Sequence, residues 1–192
     1  MAIRQKSTEK RTALLQATLN LVNDNGFHAA PMSKIAKLAG VSPATIYLYF
    51  ENKQDLINNL YISVKATFST HAFKDYKEGM TVAEGFKNIW YNIADYKLTQ
   101  AEEAYFLSQC DNTTMIDEET RQEGLKHLQP LLDLWKRGQE EGLLKNTSLY
   151  QLYAFSIYPL AFLMTMQKRG LYQWDTQNLD IVFQSAWDSI KK

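Results

Sequence analysis

A single cysteine, Cys110, excludes an intramolecular disulfide and suits a reducing compartment. Interruptions are few: the 192 residues hold only 4 prolines and 8 glycines, which excludes a low-complexity or collagen-like chain. Net charge is absent, because 21 basic and 21 acidic side chains cancel. Long hydrophobic runs are missing too. The most apolar stretch, residues 152–166, is about 15 residues long where a membrane span needs roughly 20, and Pro159 interrupts it. The first ten residues are polar and contain no apolar signal-peptide stretch. A cytoplasmic protein without a membrane partner is expected. Hydrophobic residues make up 45% of the chain, enough to bury a core.

Chemistry-bearing motifs are missing as well. His28, His71 and His127 lie far apart, and no paired-cysteine or His-Glu-x-x-His pattern occurs, so no metal site is expected. A Gly-x-Ser-x-Gly elbow, a P-loop and a dinucleotide fingerprint are all absent, so the sequence offers no enzyme chemistry and no cofactor. Glu102-Glu103 and Glu118-Glu119 read as solvated helix faces. Cys110 reads as a buried small hydrophobe rather than a sensor thiol.

What is present is helix. Strand alternation is absent, and apolar residues recur at helical spacing almost throughout. Ser7 or Thr8 can cap a first helix that puts Leu14, Ala17, Leu21 and Val22 on one face, and Asn25-Gly26 stops it. Residues 32–38 form a short second helix burying Ile35. Ala39-Gly40-Val41 is a tight turn. Ser42 caps a third helix over 43–49 with Pro43 in the favoured first position. Asn52 caps a long fourth helix from Lys53 towards Phe73. In the body, residues 80–97 and 99–111 read as two helices. Residues 117–141 read as one that Pro130 kinks or divides. Residues 148–168 read as a helix apolar on all sides. A last helix begins at Asp175 or Thr176, with Leu179, Val182, Phe183, Ala186, Trp187 and Ile190 as one stripe.

Charge is unevenly placed. Residues 1–53 carry seven basic and three acidic side chains, net +4, and residues 54–192 carry the compensating −4. A basic head on an acidic body fits a polyanion-binding module, and chance variation fits it about equally. The motif content decides more. Short helix, Gly-containing turn and second short helix make a helix-turn-helix, whose second helix enters the major groove of DNA. At about 100° per residue, Ile46 and Phe50 point into the small core, and Ala44, Thr45 and Leu48 point the other way. Tyr47 and Tyr49 fall on the flanks, where their hydroxyls can donate to phosphate oxygens. Lys53 opens the next helix, where its ammonium and backbone amides can share a phosphate.

The stretch Ile35-Ala36-Lys37-Leu38-Ala39-Gly40-Val41-Ser42-Pro43-Ala44-Thr45-Ile46-Tyr47-Leu48-Tyr49-Phe50, followed by Asn52-Lys53-Gln54-Asp55-Leu56, strongly resembles the DNA-binding domain of the TetR family of bacterial repressors. Asn25-Gly26-Phe27 matches that family's helix-end step. Further on, only the helical layout and Arg137-Gly138-Gln139-Glu140-Glu141-Gly142 look familiar. The resemblance implies an all-α protein. A three-helix helix-turn-helix domain over residues 1–52 would precede a larger ligand-binding and dimerisation domain over 53–192. It implies a homodimer that binds a near-palindromic operator in double-stranded DNA and releases it when a small molecule enters the C-terminal domain. Ser42, Pro43, Ala44, Thr45, Tyr47, Leu48, Tyr49 and Lys53 are then the DNA-binding candidates. Pro31 departs from the Ser or Thr usual at the cap of the second helix. Ser33 is placed to substitute for it, and Lys34 adjoins. Ala44 stands where the family often has Gly.

Two further sets are expectations. Lipophilic or aromatic effector candidates are Phe86, Trp90, Tyr105, Phe106, Trp135, Tyr158 and Phe162, with Tyr158 or Gln109 as a polar anchor. Residues 80–123 hold nine acidic against three basic side chains. These acids read first as solvated; a buried one would favour a cationic aromatic ligand. Ligand entry is expected to change the angle between the two DNA heads. An apolar helix over 148–168 must be covered all round, so it and the last helix are expected to form a two-fold four-helix interface. Tyr153, Ile157, Leu160, Met164, Phe183 and Trp187 are its candidates. An all-helical protein whose helix-turn-helix binds another protein is the alternative.

Overall fold

The computed structural model describes residues 2–192 and the side chains of residues 5–175 and 177–192. Met1, the side chain of Arg4 counted in the basic head, and that of the alternative cap Thr176 lie outside the described residues. Eleven helices follow one another among the described residues. They are α1 (Ala2–Asn25), α2 (Met32–Leu38), α3 (Pro43–Ile46), α4 (Lys53–Ala72), α5 (Val82–Thr99), α6 (Ala101–Asp111), α7 (Glu118–Lys126), α8 (Gln129–Glu140), α9 (Leu149–Ser156), α10 (Pro159–Lys168) and α11 (Thr176–Ile190). The expected all-α class is what the chain adopts. It sorts into two units, Met1–Lys65 with Tyr105–Gly124, and Ala66–Ala104 with Leu125–Lys192.

The first unit is built on α1, whose Leu14, Ala17, Leu21 and Val22 are all buried, with Ile35, Ile46, Phe50, Leu56 and Ile57 completing its core. α1 begins at Ala2, ahead of the Ser7 or Thr8 cap expected. Residues 2–6 contain neither Gly nor Pro, so nothing stops the helix from continuing past those hydroxyls. Residues 105–124 return to the same unit. Phe106 and Cys110 are fully buried there, and Gln54 donates to the Met115 carbonyl at 2.9 Å. The Arg121 guanidinium donates to the Cys110 carbonyl at 3.1 Å and to that of Thr113 at 3.2 Å. Burial pushes the Cys110 thiol up, away from the thiolate form.

The second unit packs around α5, whose Phe86, Ile89, Trp90 and Ile93 are fully buried; α8, with its buried Leu131 and Trp135, packs against it, as do α10 and α11. Its helices start on side-chain caps. Thr81 and Glu84 form a capping box on α5, Ser148 and Gln151 another on α9, and Asp175 caps α11. The Arg137–Gly142 sequence proves structural. Arg137 donates to the carbonyls of Glu78 at 2.5 Å and Met80 at 2.6 Å. Gln139 donates to those of Lys145 at 2.9 Å and Thr147 at 2.7 Å. Gly138 leaves room for Leu144 and Val82 to come close to its Cα.

Two prolines divide what the apolar pattern runs together. Pro130 separates α7 from α8, one of the two outcomes open in the sequence. Pro159 separates α9 from α10, so residues 148–168 are two helices and not one. Proline has no N–H to give the Phe155 carbonyl four residues back, and its ring crowds that oxygen. The Ser189 hydroxyl of α11 donates to it instead, at 3.3 Å. By length and composition the 20 residues Leu149–Lys168 could cross a membrane, a longer apolar span than the sequence reading allowed. Leu152, Ile157, Leu160 and Met164 within it are nevertheless buried in the protomer's own core.

A Cβ on Gly138 would stand 2.7 Å from a Leu144 methyl and 2.8 Å from a Val82 methyl. Gly138→Val should therefore destabilise the chain by about 1–3 kcal/mol through overpacking, measured by urea denaturation. Unchanged stability would mean that the close approach is not held in solution.

Candidate nucleic-acid interface

Pro31 stands at the N-cap of α2 and supplies no side-chain cap. Ile35 and Ala36 are fully buried and fix its roll, and Ser33 and Lys34 face solvent. The turn then needs a left-handed residue, and Gly40 provides it at φ +69°. The Val41 amide donates to the Ala36 carbonyl at 3.0 Å, closing the turn. Ser42 caps α3 by accepting from the Thr45 amide at 3.2 Å. The two hydroxyls, Ser42 Oγ and Thr45 Oγ1, also meet at 2.8 Å. Pro43 occupies the first helical position.

α3 is shorter than the 43–49 expected. Regular helix ends at Ile46, and the chain tightens into three-residue turns: Leu48 donates to Thr45 and Tyr49 to Ile46, each at 3.1 Å. The facing is as the wheel places it. Ile46 and Phe50 are buried, while Tyr47 is 57% and Leu48 81% exposed. Ala44 and Pro43 are also exposed, and Thr45 and Tyr49 are half-buried.

Lys53 does more than a solvent-facing cation would. Its ammonium donates to the Phe27 carbonyl, lies 3.4 Å from that of His28, and sits 4.3 Å from the Phe27 ring centroid. It thereby covers carbonyls just beyond the C-terminus of α1, and burial lowers its pKa. Arg11, which the sequence counted only as charge, is a second clamp. Its guanidinium donates to Asn59 at 2.7 Å and lies 5.5 Å from the Phe50 ring centroid. Asn52 caps α4 by accepting from the Asp55 amide at 2.9 Å.

The remaining candidates divide between the units. Phe86, Trp90 and Trp135 lie together in the second unit, fully buried, with the Trp90 indole donating to the Ser156 carbonyl at 2.8 Å. The buried Trp135 Nε1 has no hydrogen-bond partner. Tyr105, Phe106 and Gln109 belong to the first unit, where Gln109 donates to Asn23 at 2.9 Å. Tyr158 and Phe162 are exposed. Of the interface candidates, Ile157, Leu160 and Met164 are buried within the protomer, and Tyr153, Phe183 and Trp187 are half-buried. The exposed apolar residues of α9, α10 and α11 include others: Tyr150, Phe155 and Ile181. A sequence stripe marks the apolar circumference but does not tell which arc the protomer covers itself.

Residues 14–60 match the family described as bacterial regulatory proteins, tetR family, and residues 82–191 match the tetracyclin repressor-like C-terminal domain. An HTH-type transcriptional regulator of Haemophilus influenzae is 27% identical over 199 residues, spanning 99% of this chain and 100% of that protein. The crystal structure of a TetR family transcription regulator from Marinobacter aquaeolei VT8 superposes with a TM-score of 0.91 at 28% identity, over 98% of this chain and 99% of that one. FadR of Bacillus subtilis, in complex with stearoyl-CoA, superposes at 0.72 with 22% identity, over 93% and 98% of the two chains, a likeness of fold. With a helix-turn-helix at one end and the C-terminal match alone covering more than half of its length, the chain belongs to the TetR family and is a transcriptional regulator, not an enzyme.

Proposed function

We propose that the chain is a homodimeric repressor that holds a near-palindromic operator and releases it when a lipophilic or aromatic small molecule binds its C-terminal region. The observation that carries the DNA half of this reading is the pinned α3. Buried Ile46 and Phe50 leave Ala44, Tyr47 and Leu48 exposed on one side of a capped turn. Residues 1–52 then bind DNA, and residues 53–192 receive the effector and dimerise. Ser33, Lys34, Ser42 and Tyr49 serve as phosphate contacts beside this face. Such a protein acts in the cytoplasm.

The effector half rests on the apolar core of the second unit, where Phe86, Trp90 and Trp135 gather. The unpartnered Trp135 Nε1 offers a donor to a ligand carbonyl or carboxylate. Stearoyl-CoA bound to the B. subtilis protein of the same fold supports a lipophilic class. The test is tryptophan fluorescence and gel shift during titration with stearoyl-CoA, a free fatty acid and a cationic dye. Release by the lipophiles supports the reading. Release by the dye alone favours a cationic effector, and no release by any of them removes the lipophilic class.

The dimer half rests on the exposed arc of α9, α10 and α11. Tyr150, Phe155, Tyr158, Phe162 and Ile181 are between 39% and 76% exposed. A groove of about 430 Å³ runs beside Phe155, lined also by Gln151, Ser189 and Ile190. A patch of this kind marks an association surface, and a two-fold partner presents the same patch in return. Phe162→Glu should yield monomers in sedimentation velocity with the thermal transition of each protomer's core retained. A charge at Ile157 is a poorer probe, since that side chain is wholly buried and the variant would unfold. A Phe162→Glu dimer as tight as wild type would remove this arc from the interface.

Lys53 is assigned both to the α1 carbonyls and to a phosphate, since an ammonium carries three donors. Lys53→Ala should lower head stability and reduce the log–log salt slope of DNA binding by about one unit per protomer. Lost stability with an unchanged slope would leave Lys53 a structural clamp alone.

A further inference from the structure

We propose that Leu48, with Ala44 beside it, reads the 5-methyl group of thymine in the major groove, so that operator choice depends on that methyl more than on base-edge hydrogen bonds. The inference rests on the DNA-binding reading above and names what is read.

Four observations lead to it. First, α3 cannot roll: Ile46 and Phe50 on its other side are 0% and 1% exposed. Secondly, among the described residues the most exposed large apolar side chain is Leu48, at 81%, and it stands on this face and not on the helices carrying the other apolar patch. Thirdly, residues 43–49 contain no Arg, Lys, Asn, Gln, Asp or Glu. The bidentate pairs that distinguish guanine and adenine edges therefore have no donor set on this helix. Fourthly, the short hydroxyls nearby are partly committed to the cap. Ser42 Oγ already accepts from the Thr45 amide, and the Ser42 and Thr45 hydroxyls meet at 2.8 Å, so one of their two protons is used inside the cap.

The face entering the groove is thus apolar, with tyrosines at its sides. Of the standard bases only thymine shows an apolar group in the major groove; 5-methylcytosine shows one at the same ring position. Contact between the Leu48 methyls and that group removes both from water. The gain on the Leu48 side is available only where a methyl meets it. Deoxyuridine pairs as thymine does but lacks the methyl, so it separates this contact from pairing and from most of the shape of the duplex.

The experiment uses the full chain and a duplex that the wild type selects from a random-sequence pool. Thymines in each half-site are replaced one position at a time by deoxyuridine, and affinity is read by fluorescence anisotropy at fixed salt. At one position per half-site the wild type should lose about four-fold per methyl, and about fifteen-fold when both half-sites are changed. Leu48→Ala should bind the thymine and deoxyuridine duplexes alike. At the same position, replacing a C·G pair by 5-methylcytosine·G should restore about four-fold for the wild type and nothing for Leu48→Ala. Leu48 is a surface residue, so the variant should fold, which its thermal transition checks. Leu48→Met, which keeps an apolar tip, should retain most of the methyl dependence. Wild-type binding indifferent to deoxyuridine at every position overturns the inference and leaves DNA binding intact. A methyl penalty that survives in Leu48→Ala assigns the reading to another residue and overturns it as well. Failure of the wild type to select any duplex overturns the DNA-binding reading itself.

Discussion

The roll of one short helix about its own axis decides which side chains the helix-turn-helix turns outward. α3 has only four residues of regular helix, too few to hold its orientation by its own hydrogen bonds. Ile46 and Phe50 hold it by burial in a core supplied by α1, α2 and the start of α4. Its entry is set by the left-handed Gly40 and the Ser42 cap, and its exit by turns that donate back to Thr45 and Ile46. Removing a buried aromatic such as Phe50 would release the helix from both flanks, because the Arg11 guanidinium rests on the same ring. A face held in this way needs no ordering when a partner binds it.

Much of this was legible in the chain because the signals agree across levels. Period, caps and turn residues all point to the same helix-turn-helix between Met32 and Phe50. The caps at Ser42 and Asn52 are where the sequence places them, and Asp175 is one of the two starts it left open for the last helix. The first helix was harder. A hydroxyl at position 7 or 8 is a good cap only if the chain turns there, and nothing in residues 2–6 makes it turn. Lys53 was half legible: its position in the motif is plain, but its bond to the Phe27 carbonyl depends on where α1 ends relative to α4, which no local pattern encodes.

The C-terminal region was less legible, for a physical reason. An apolar side chain looks the same in sequence whether its own protomer or another molecule covers it. Ile157, Leu160 and Met164 turned inward while Phe155 and Phe162 turned outward, and the break at Pro159 resets the facing between α9 and α10, which an unbroken helical period cannot reproduce. Gathering of aromatics is equally ambiguous. Phe86, Trp90 and Trp135 do come together, yet Tyr105, Phe106 and Gln109 follow α6 into the N-terminal unit and serve its packing. The return of residues 105–124 to that unit is a non-local event, and it ties the stability of the DNA head to a segment far along the chain.

The central claim is that two copies of this head act together on one duplex. Hydroxyl-radical footprinting of the full chain on DNA upstream of its own coding sequence tests it most directly. The account predicts two protected patches related by a two-fold axis, their centres one helical turn, about 34–36 Å, or a multiple of it apart. A single unsymmetrical patch, or no protection at salt concentrations where other DNA is also unbound, would contradict it.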